Sequence, residues 1–416
     1  MNSMQKIFAY ALVFILLLPN LSAESLQTGG YYKSFFTILN STSLNESVTQ
    51  QKSFMVSNQV RFNISYEITD LLSFNTSYNF SPRWQDGPFF KENHFNTGID
   101  PTSYRLVDLN SQIYPYENDS IENFGIFQNL DRAFATISTE IMDIYIGRQT
   151  VAWGSGRVLN PTDILAPFTF NELDTEDRFG IDALRIRIPV GTMSEFDTGY
   201  VLGKHLNFNK SAFFFRSQSN FMETDASALM MIFRNNFLIG FDFARAIGGA
   251  GFWLESAYVF PHILRDEDLL SSKYIRMSVG LDYSFSGTTY GFTEYHFSQA
   301  GMENPEDYFS NLIQPAYTDG TVYLMGRHYL ALGMVYQIIS LINLSIQPLV
   351  NMIDKSSSLS AQIEYNVAQD IYLSLGMWIG IGQQPGILSD NSTAQKLDSE
   401  FGGYPDICFS SLRIYF

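Results

Sequence analysis

The feature that most constrains this chain is an alternation that keeps returning. Val60, Phe62, Ile64, Tyr66 and Ile68 share one parity, and Gln59, Arg61, Asn63, Ser65 and Glu67 share the other. A period of two is the mark of an extended strand with one apolar face. After Thr69-Asp70 the pattern resumes, with Leu72, Phe74, Tyr78 and Phe80 opposing Ser73, Asn75, Ser77 and Asn79. It recurs at 274–285, 359–366 and 371–379, none of which has apolar residues at i, i+3 and i+4. A sheet with one apolar face can cross a bilayer only if it closes on itself, because lipid offers no partner to an unpaired backbone N–H or C=O. The expected fold is therefore all-β, a transmembrane antiparallel β-barrel with apolar residues outward and polar residues toward the lumen.

Composition supports this reading. Aromatic residues make up 15% of the chain, and beyond the leader no apolar run reaches the roughly 18 residues of a membrane-crossing helix. Acidic residues outnumber basic ones, 42 to 25, which excludes nucleic acid as a partner because phosphate binding needs a concentrated positive face. Cys408 is the single cysteine, so no intrachain disulfide can form, and its parity makes it a small lipid-facing residue.

The chain opens with Lys6, an apolar run over 7–18, and Pro19-Asn20-Leu21-Ser22-Ala23. This reads as a cleaved signal peptide, 1–23, ahead of a barrel over 24–416. With Glu24 and no cysteine at the cleavage point, a lipid-anchored form is not expected. At the other end Leu412, Ile414 and Phe416 alternate with Ser411, Arg413 and Tyr415. A last strand ending in Phe resembles the insertion signal read by the outer-membrane barrel-assembly machinery.

Turn lengths set the strand number. Short turns fall near Thr69-Asp70, Glu140-Ile141, Gly191-Thr192, Ser286-Gly287, Ile339-Ser340 and Ala368-Gln369, with long connections at 85–129, 151–180, 301–325 and 381–404. About nineteen candidate strands result. An odd count breaks the order of short inner turns and long outer loops, so the weak segment 104–109 is dropped. About 18 strands remain, with 16 as the next choice and both ends in the periplasm. A barrel of that size holds water and not a packed core.

One segment interrupts the rhythm. Residues 146–188 carry Ile-Gly-Arg-Gln, then Trp153-Gly-Ser-Gly-Arg157, Asn160-Pro-Thr-Asp163, and Asp177-Arg-Phe-Gly-Ile-Asp-Ala-Leu-Arg185. This stretch resembles a family of porin-like outer-membrane barrels of Gram-negative bacteria, similar in plan to porins that pass small anions, carboxylates or uronate oligomers. The resemblance implies an outer-membrane location and small hydrophilic solutes as partners, alongside the membrane lipids. Porins of this plan are often trimers, so a homotrimer is the oligomer it suggests.

Read physically, Asn160-Pro161 has the form of a helix start, with Asp163 near its positive end, so a short helix or folded loop is expected after Trp153. A loop of this length in a compact barrel is functional or mobile. The expectation is that 151–180 folds inward. Its acids Glu172, Asp174, Glu176 and Asp177, with Arg178 beside them, would face a basic ladder of Arg185, Arg187, Arg61 and Arg148. The pore set is then Arg61, Arg148, Trp153, Arg157, Asn160, Asp163, Asp174, Glu176, Asp177, Arg178, Arg185 and Arg187. Opposed charges across a narrow wet gap orient a passing solute. Against this stands the plainer reading that the same charges only pin the loop to the wall.

Arg148 conflicts with the pattern. It shares parity with Ile144 and Ile146, which aims it at lipid, where a charge costs about 2–4 kcal/mol at mid-bilayer. Either it sits at the rim, or Gly147 makes a bulge that swaps the parity.

Weaker signals resolve simply. Gly154-x-Gly156-Arg157 lacks the Gly-Lys-Ser/Thr of a phosphate loop. His296 and Glu294 read as a solvated lumen pair, Arg265-Asp-Glu-Asp268 as an outer loop, and Trp84 and Trp378 as belt or rim residues. The acids 172–177 match no calcium loop, and no cofactor or metal is expected. No Ser/His/acid arrangement suggests an enzyme. The function expected is an outer-membrane channel for small hydrophilic solutes of anionic or carboxylate type. The alternatives are a barrel for export or assembly of a surface polysaccharide, or a structural outer-membrane protein.

Overall fold

In a computed structural model the alternating stripes pair into a single sheet that closes. The structure describes residues 25–41, 52–86, 101–116, 119, 121–168, 170, 172–263, 273–318, 322–387 and 395–416. The expected signal peptide at 1–23 and the charge run at 265–268 lie outside them. Eighteen strands make the wall. The first nine are β1 (Leu26–Asn40), β2 (Lys52–Thr69), β3 (Leu72–Gln85), β4 (Phe124–Ser138), β5 (Asp143–Gln149), β6 (Ile181–Val190), β7 (Ser194–Val201), β8 (Ala212–Phe221) and β9 (Thr224–Phe233). The rest are β10 (Asn236–Ile247), β11 (Ala250–Phe260), β12 (Tyr274–Ser286), β13 (Thr289–Ser298), β14 (His328–Ile339), β15 (Ile342–Asn351), β16 (Ser357–Ala368), β17 (Ile371–Ile381) and β18 (Asp406–Tyr415).

Each wall strand pairs antiparallel with its neighbours in sequence, and the seam is β1 against β18, where Tyr32 lies opposite both Val60 and Ile414. Closure of this kind leaves no edge strand. The parities fall as the alternation requires: Phe62, Ile64, Leu281, Leu373 and Leu375 are exposed on the outside, while Lys33, Arg61, Ser278 and Glu294 are buried toward the lumen. Cys408 is exposed, on the outward parity. The six expected short turns all lie at one end of the barrel.

Two further short connections lie at the opposite, long-loop end. β9 and β10 are joined by Arg234-Asn235 alone, both at positive φ (46° and 69°), the signature of a mirror-image hairpin turn. β15 and β16 are joined by 352–356. Short-in and long-out is thus a trend here and not a rule. Trp84 is exposed beside Phe124, as a belt residue would be, whereas Trp378 stacks on the buried Phe409 at 4.9 Å on the lumen parity.

The segment 104–109 is not a wall strand, yet it belongs to the wall. β5 is only seven residues long, and 101–114 covers the stretch of β4 above it, with Gln112 and Tyr114 paired to Phe127 and Ile126. Arg105, buried, donates to the Gly180 carbonyl at 2.9 Å and to Asp108 at 2.8 Å, and lies 3.6 Å over the Phe179 ring.

This patch resolves the Arg148 conflict in a way neither reading anticipated. Gly147 does take a positive φ of 122°, but the ladder runs through it without a register shift, Phe134 opposite Gly147 and Ala133 opposite Arg148. The charge is instead covered from outside its own strand. Arg148 is 5% exposed, and it donates to Asp182 (2.8 and 3.2 Å), to Asp108 (2.8 Å) and to the carbonyls of Leu130 and Val107 (2.8 and 2.7 Å). Its charge is fully committed to the wall. Removing one member of a buried ion network strands the others, at about 3–5 kcal/mol. Arg148→Ala should lower the unfolding free energy in urea titration by that amount while leaving ion selectivity unchanged; a variant of wild-type stability contradicts this assignment.

Candidate functional site

Residues 150–180 leave the wall and cross the lumen. The described residues of this loop form turns and no helix: 161–162 is a turn, so the helix start expected at Asn160-Pro161 is not realised. Without a helix the loop's backbone amides need other acceptors, and they find them on two buried wall carboxylates. Glu255 of β11 accepts from the amides of Ser155 (3.1 Å), Gly156 (3.1 Å) and Thr162 (2.7 Å), and from the Thr162 hydroxyl (2.7 Å). Glu294 of β13 accepts from the amides of Arg157 (2.6 Å), Val158 (3.2 Å) and Leu159 (2.9 Å), and from the Trp253 indole (3.0 Å). Ser278 donates to the Leu159 carbonyl at 2.7 Å. Charge-assisted hydrogen bonds of this type are roughly twice as strong as neutral ones.

The close approach dictates the glycine at 154. Its φ is +110°, and a Cβ there would sit 2.7 and 2.8 Å from the two Glu255 carboxylate oxygens. The loop begins from a fixed point. Trp153 is buried edge-on to Phe214 (4.8 Å) and donates to Asp197 at 3.3 Å, so it anchors the loop and does not line an opening. Ser155 also donates to Asp242 of β10.

At its far side the loop is held by different chemistry. Lys33 of β1, fully buried, reaches Asp174 (2.8 Å) and Glu176 (2.6 Å). Tyr31 donates to Asp177 (2.8 Å), Arg61 lies 3.7 Å from the same carboxylate, and Tyr415 of β18 donates to Glu176 (2.7 Å). Burial would raise the Glu176 carboxyl, but Lys33 and Tyr415 hold it below the ordinary value. The segment therefore bridges the β11–β13 wall and the β18–β1–β2 wall.

The expected ladder is rearranged. Arg185 pairs with Asp197 (2.6 Å) and Arg187 with Glu195 (2.5 Å), both on β7, so neither meets the loop's acids. Both are diagonal pairs, two residues off the facing register of adjacent strands, a spacing long side chains span, so the partners neutralise each other before a distant loop can compete. Arg61 is shared between Asp131 (2.8 Å) and Asp177, and Arg148 is sealed in the wall. Lys33 supplies the cation that the loop acids use, on the inward parity of a strand whose pattern was not separated in the sequence. His296 and Glu294 are not a solvated pair: His296 is hydrogen-bonded to Ser278 (2.8 Å) while Glu294 holds the loop.

Two adjacent polar cavities remain beside the loop, with Thr175 common to both. The first, about 330 Å³, is lined by Arg157, Asn160, Asp163 and Arg178 of the loop and by Arg276 of β12. Arg157 is half-exposed there and pairs with Asp282 at 2.8 Å. Asp163 is paired with Arg178; burial pushes its carboxyl up to about 6, with Arg178 pulling the other way. The second, about 550 Å³, is lined by Asp174, Glu176, Glu364, Asp370 and Arg413, with Arg413 paired to Glu364. One cavity is basic in balance and the next acidic.

No family model matches the chain, and no curated protein matches it in sequence. Solved barrels match its fold. Pseudomonas aeruginosa OccK7 (OpdD) is 10% identical over 94% of this chain and 98% of that one, with a TM-score of 0.55. Pseudomonas aeruginosa OccK5 (OpdH) is 8% identical over 94% and 99%, at 0.52, and Acinetobacter baumannii OccAB1 is 11% identical over 94% and 96%, at 0.50. At such identities the likeness carries the barrel plan alone.

The clasp makes a specific demand. Removing either carboxylate leaves three loop amides without that acceptor, one of them fully buried (Thr162 or Leu159), where the loss costs about 1–3 kcal/mol. In Glu255→Ala or Glu294→Ala, hydrogen-exchange protection over 155–162 should fall by about 10-fold or more while mid-strand amides keep theirs. Unchanged protection in both variants overturns the clasp.

Proposed function

We propose that this chain is an outer-membrane channel that lets small hydrophilic solutes pass, with a preference for anions of the carboxylate type. The observation that carries this reading is the loop held inside the lumen, with two adjacent polar cavities of solute size left beside it. A barrel of eighteen strands is wide enough to hold water, and an apolar outer face suits lipid. Its long-loop end faces outward and its termini lie in the periplasm, where a cleaved leader, 1–23, would deliver it. The anion preference rests on the first cavity, where Arg157, Arg178 and Arg276 outnumber Asp163. Rings of fixed charge at a constriction are what make pores selective.

Charged pairs elsewhere in the pore set act as supports in this reading. Arg61, Asp174, Glu176 and Asp177 hold the loop, Arg185 and Arg187 balance β7, and Trp153 fixes the loop's start. Export of a long polymer fits less well, because the crossing loop divides the lumen. Assembly through the last strand and association into a trimer are consistent with this role.

Acidification gives a signed test. Protonating Asp163 removes one negative charge from a cavity rich in arginine. Reversal potentials across planar bilayers in a salt gradient should show the anion-to-cation permeability ratio rising as pH falls through about 6. Asp163→Asn should be fixed near the acidic value at all pH. Cation preference at every pH, or a step of wild-type size in Asp163→Asn, refutes the assignment.

A further inference from the structure

Arg276 departs from the way most of the described arginines of this lumen are handled. Arg61, Arg148, Arg157, Arg178 and Arg185 are each met by a carboxylate. Arg276 is only 5% exposed and has neither a hydrogen bond nor an ion pair to any described residue; its Nε and Nη1 both lack an acceptor. A buried guanidinium whose donors are unmet is costly unless something supplies the acceptors. Asp163, the loop acid that shares its cavity, is paired with Arg178 through one oxygen and acts on Arg276 only through space, without a hydrogen bond to it.

The surroundings say what could. Arg276 lines the first cavity, whose volume of about 330 Å³ lies at the lower end of the roughly 300–1,000 Å³ typical of small-molecule sites. Phe168, Phe170 and Tyr323 give that cavity an apolar side, while Arg178, Asn160 and Gln347 give it a polar one. The two-sided lining suits a compact organic acid better than a bare halide.

We propose that this cavity is a saturable binding subsite for a small organic carboxylate, with Arg276 as its counter-ion. The inference rests on the channel reading and adds a residue and a mode to it: the solute does not merely diffuse past a positive potential but pauses on one arginine. The signal in the sequence is slight. Arg276 lies on the inward parity of β12 among Tyr274, Ser278 and Gly280, far from the 146–188 segment.

The test uses the full-length barrel reconstituted in planar bilayers, with chloride carrying the current and benzoate added as the probe. Benzoate should reduce the chloride current along a saturating curve. Arg276→Gln should weaken that block by about 10-fold or more, the size expected for losing a hydrogen bond to a charged group, while chloride still passes. Arg276→Lys, which keeps the charge, should fall between and guards against a Gln variant that fails to fold. Equal block in wild type and Arg276→Gln, or block that never saturates, overturns the subsite but leaves the channel standing. Should wild type carry no chloride current, the channel reading fails, and calorimetry of benzoate with the detergent-solubilised barrel decides the subsite: heat that saturates in wild type and is lost in Arg276→Gln upholds it, and no heat overturns it.

Discussion

Every part of this molecule answers one constraint, that a backbone N–H away from water must find an acceptor. The wall meets it by closure, β1 against β18, so that no strand edge is left over. Residues 150–180 have no strand partner and make no helix, yet they cross the lumen from wall to wall. Glu255 and Glu294 take over the role a neighbouring strand would have played, accepting from six loop amides between them. The loop's position across the lumen is set by what those two carboxylates hold still.

Charge in the lumen follows the same economy. With acidic residues in excess, most arginines are neutralised close to home: Arg185 and Arg187 by the next strand, Arg148 and Arg105 within a patch that fills the wall above the short β5. Local pairs form first because adjacent strands put diagonal neighbours about 7–8 Å apart, within reach of long side chains. In the first cavity Arg157 and Arg178 are paired in this way, and Arg276 is left without a hydrogen bond or ion pair to any described residue.

The wall was legible in the sequence because alternation is a local property. The turns at Asp70, Gly191 and Gly287 and the outward parity of Phe62 and Leu375 follow from residue type alone. So did the inward course of 151–180, from its length and its break in rhythm. Partnerships were not legible. Glu255 and Glu294 bind an element about 100 or more residues away in sequence, and nothing in their own strands distinguishes a clasp from a solvated lumen acid. Arg148 misled for a related reason: its parity was read correctly, but the cover came from 105–108, a segment whose weak pattern gave no hint that it would patch the wall. The helix expected at Asn160-Pro161 is not realised, and the Thr162 amide, which would have had no acceptor inside a helix either, is met by Glu255.

The proposal that the loop is the constriction is tested by single-channel conductance of the reconstituted barrel, wild type against the double variant Glu255→Ala/Glu294→Ala. If the two carboxylates hold the loop across the lumen, the double variant should conduct severalfold more and with more noise. A unit conductance equal to that of the wild type would mean that 150–180 does not limit the path, and would contradict the account.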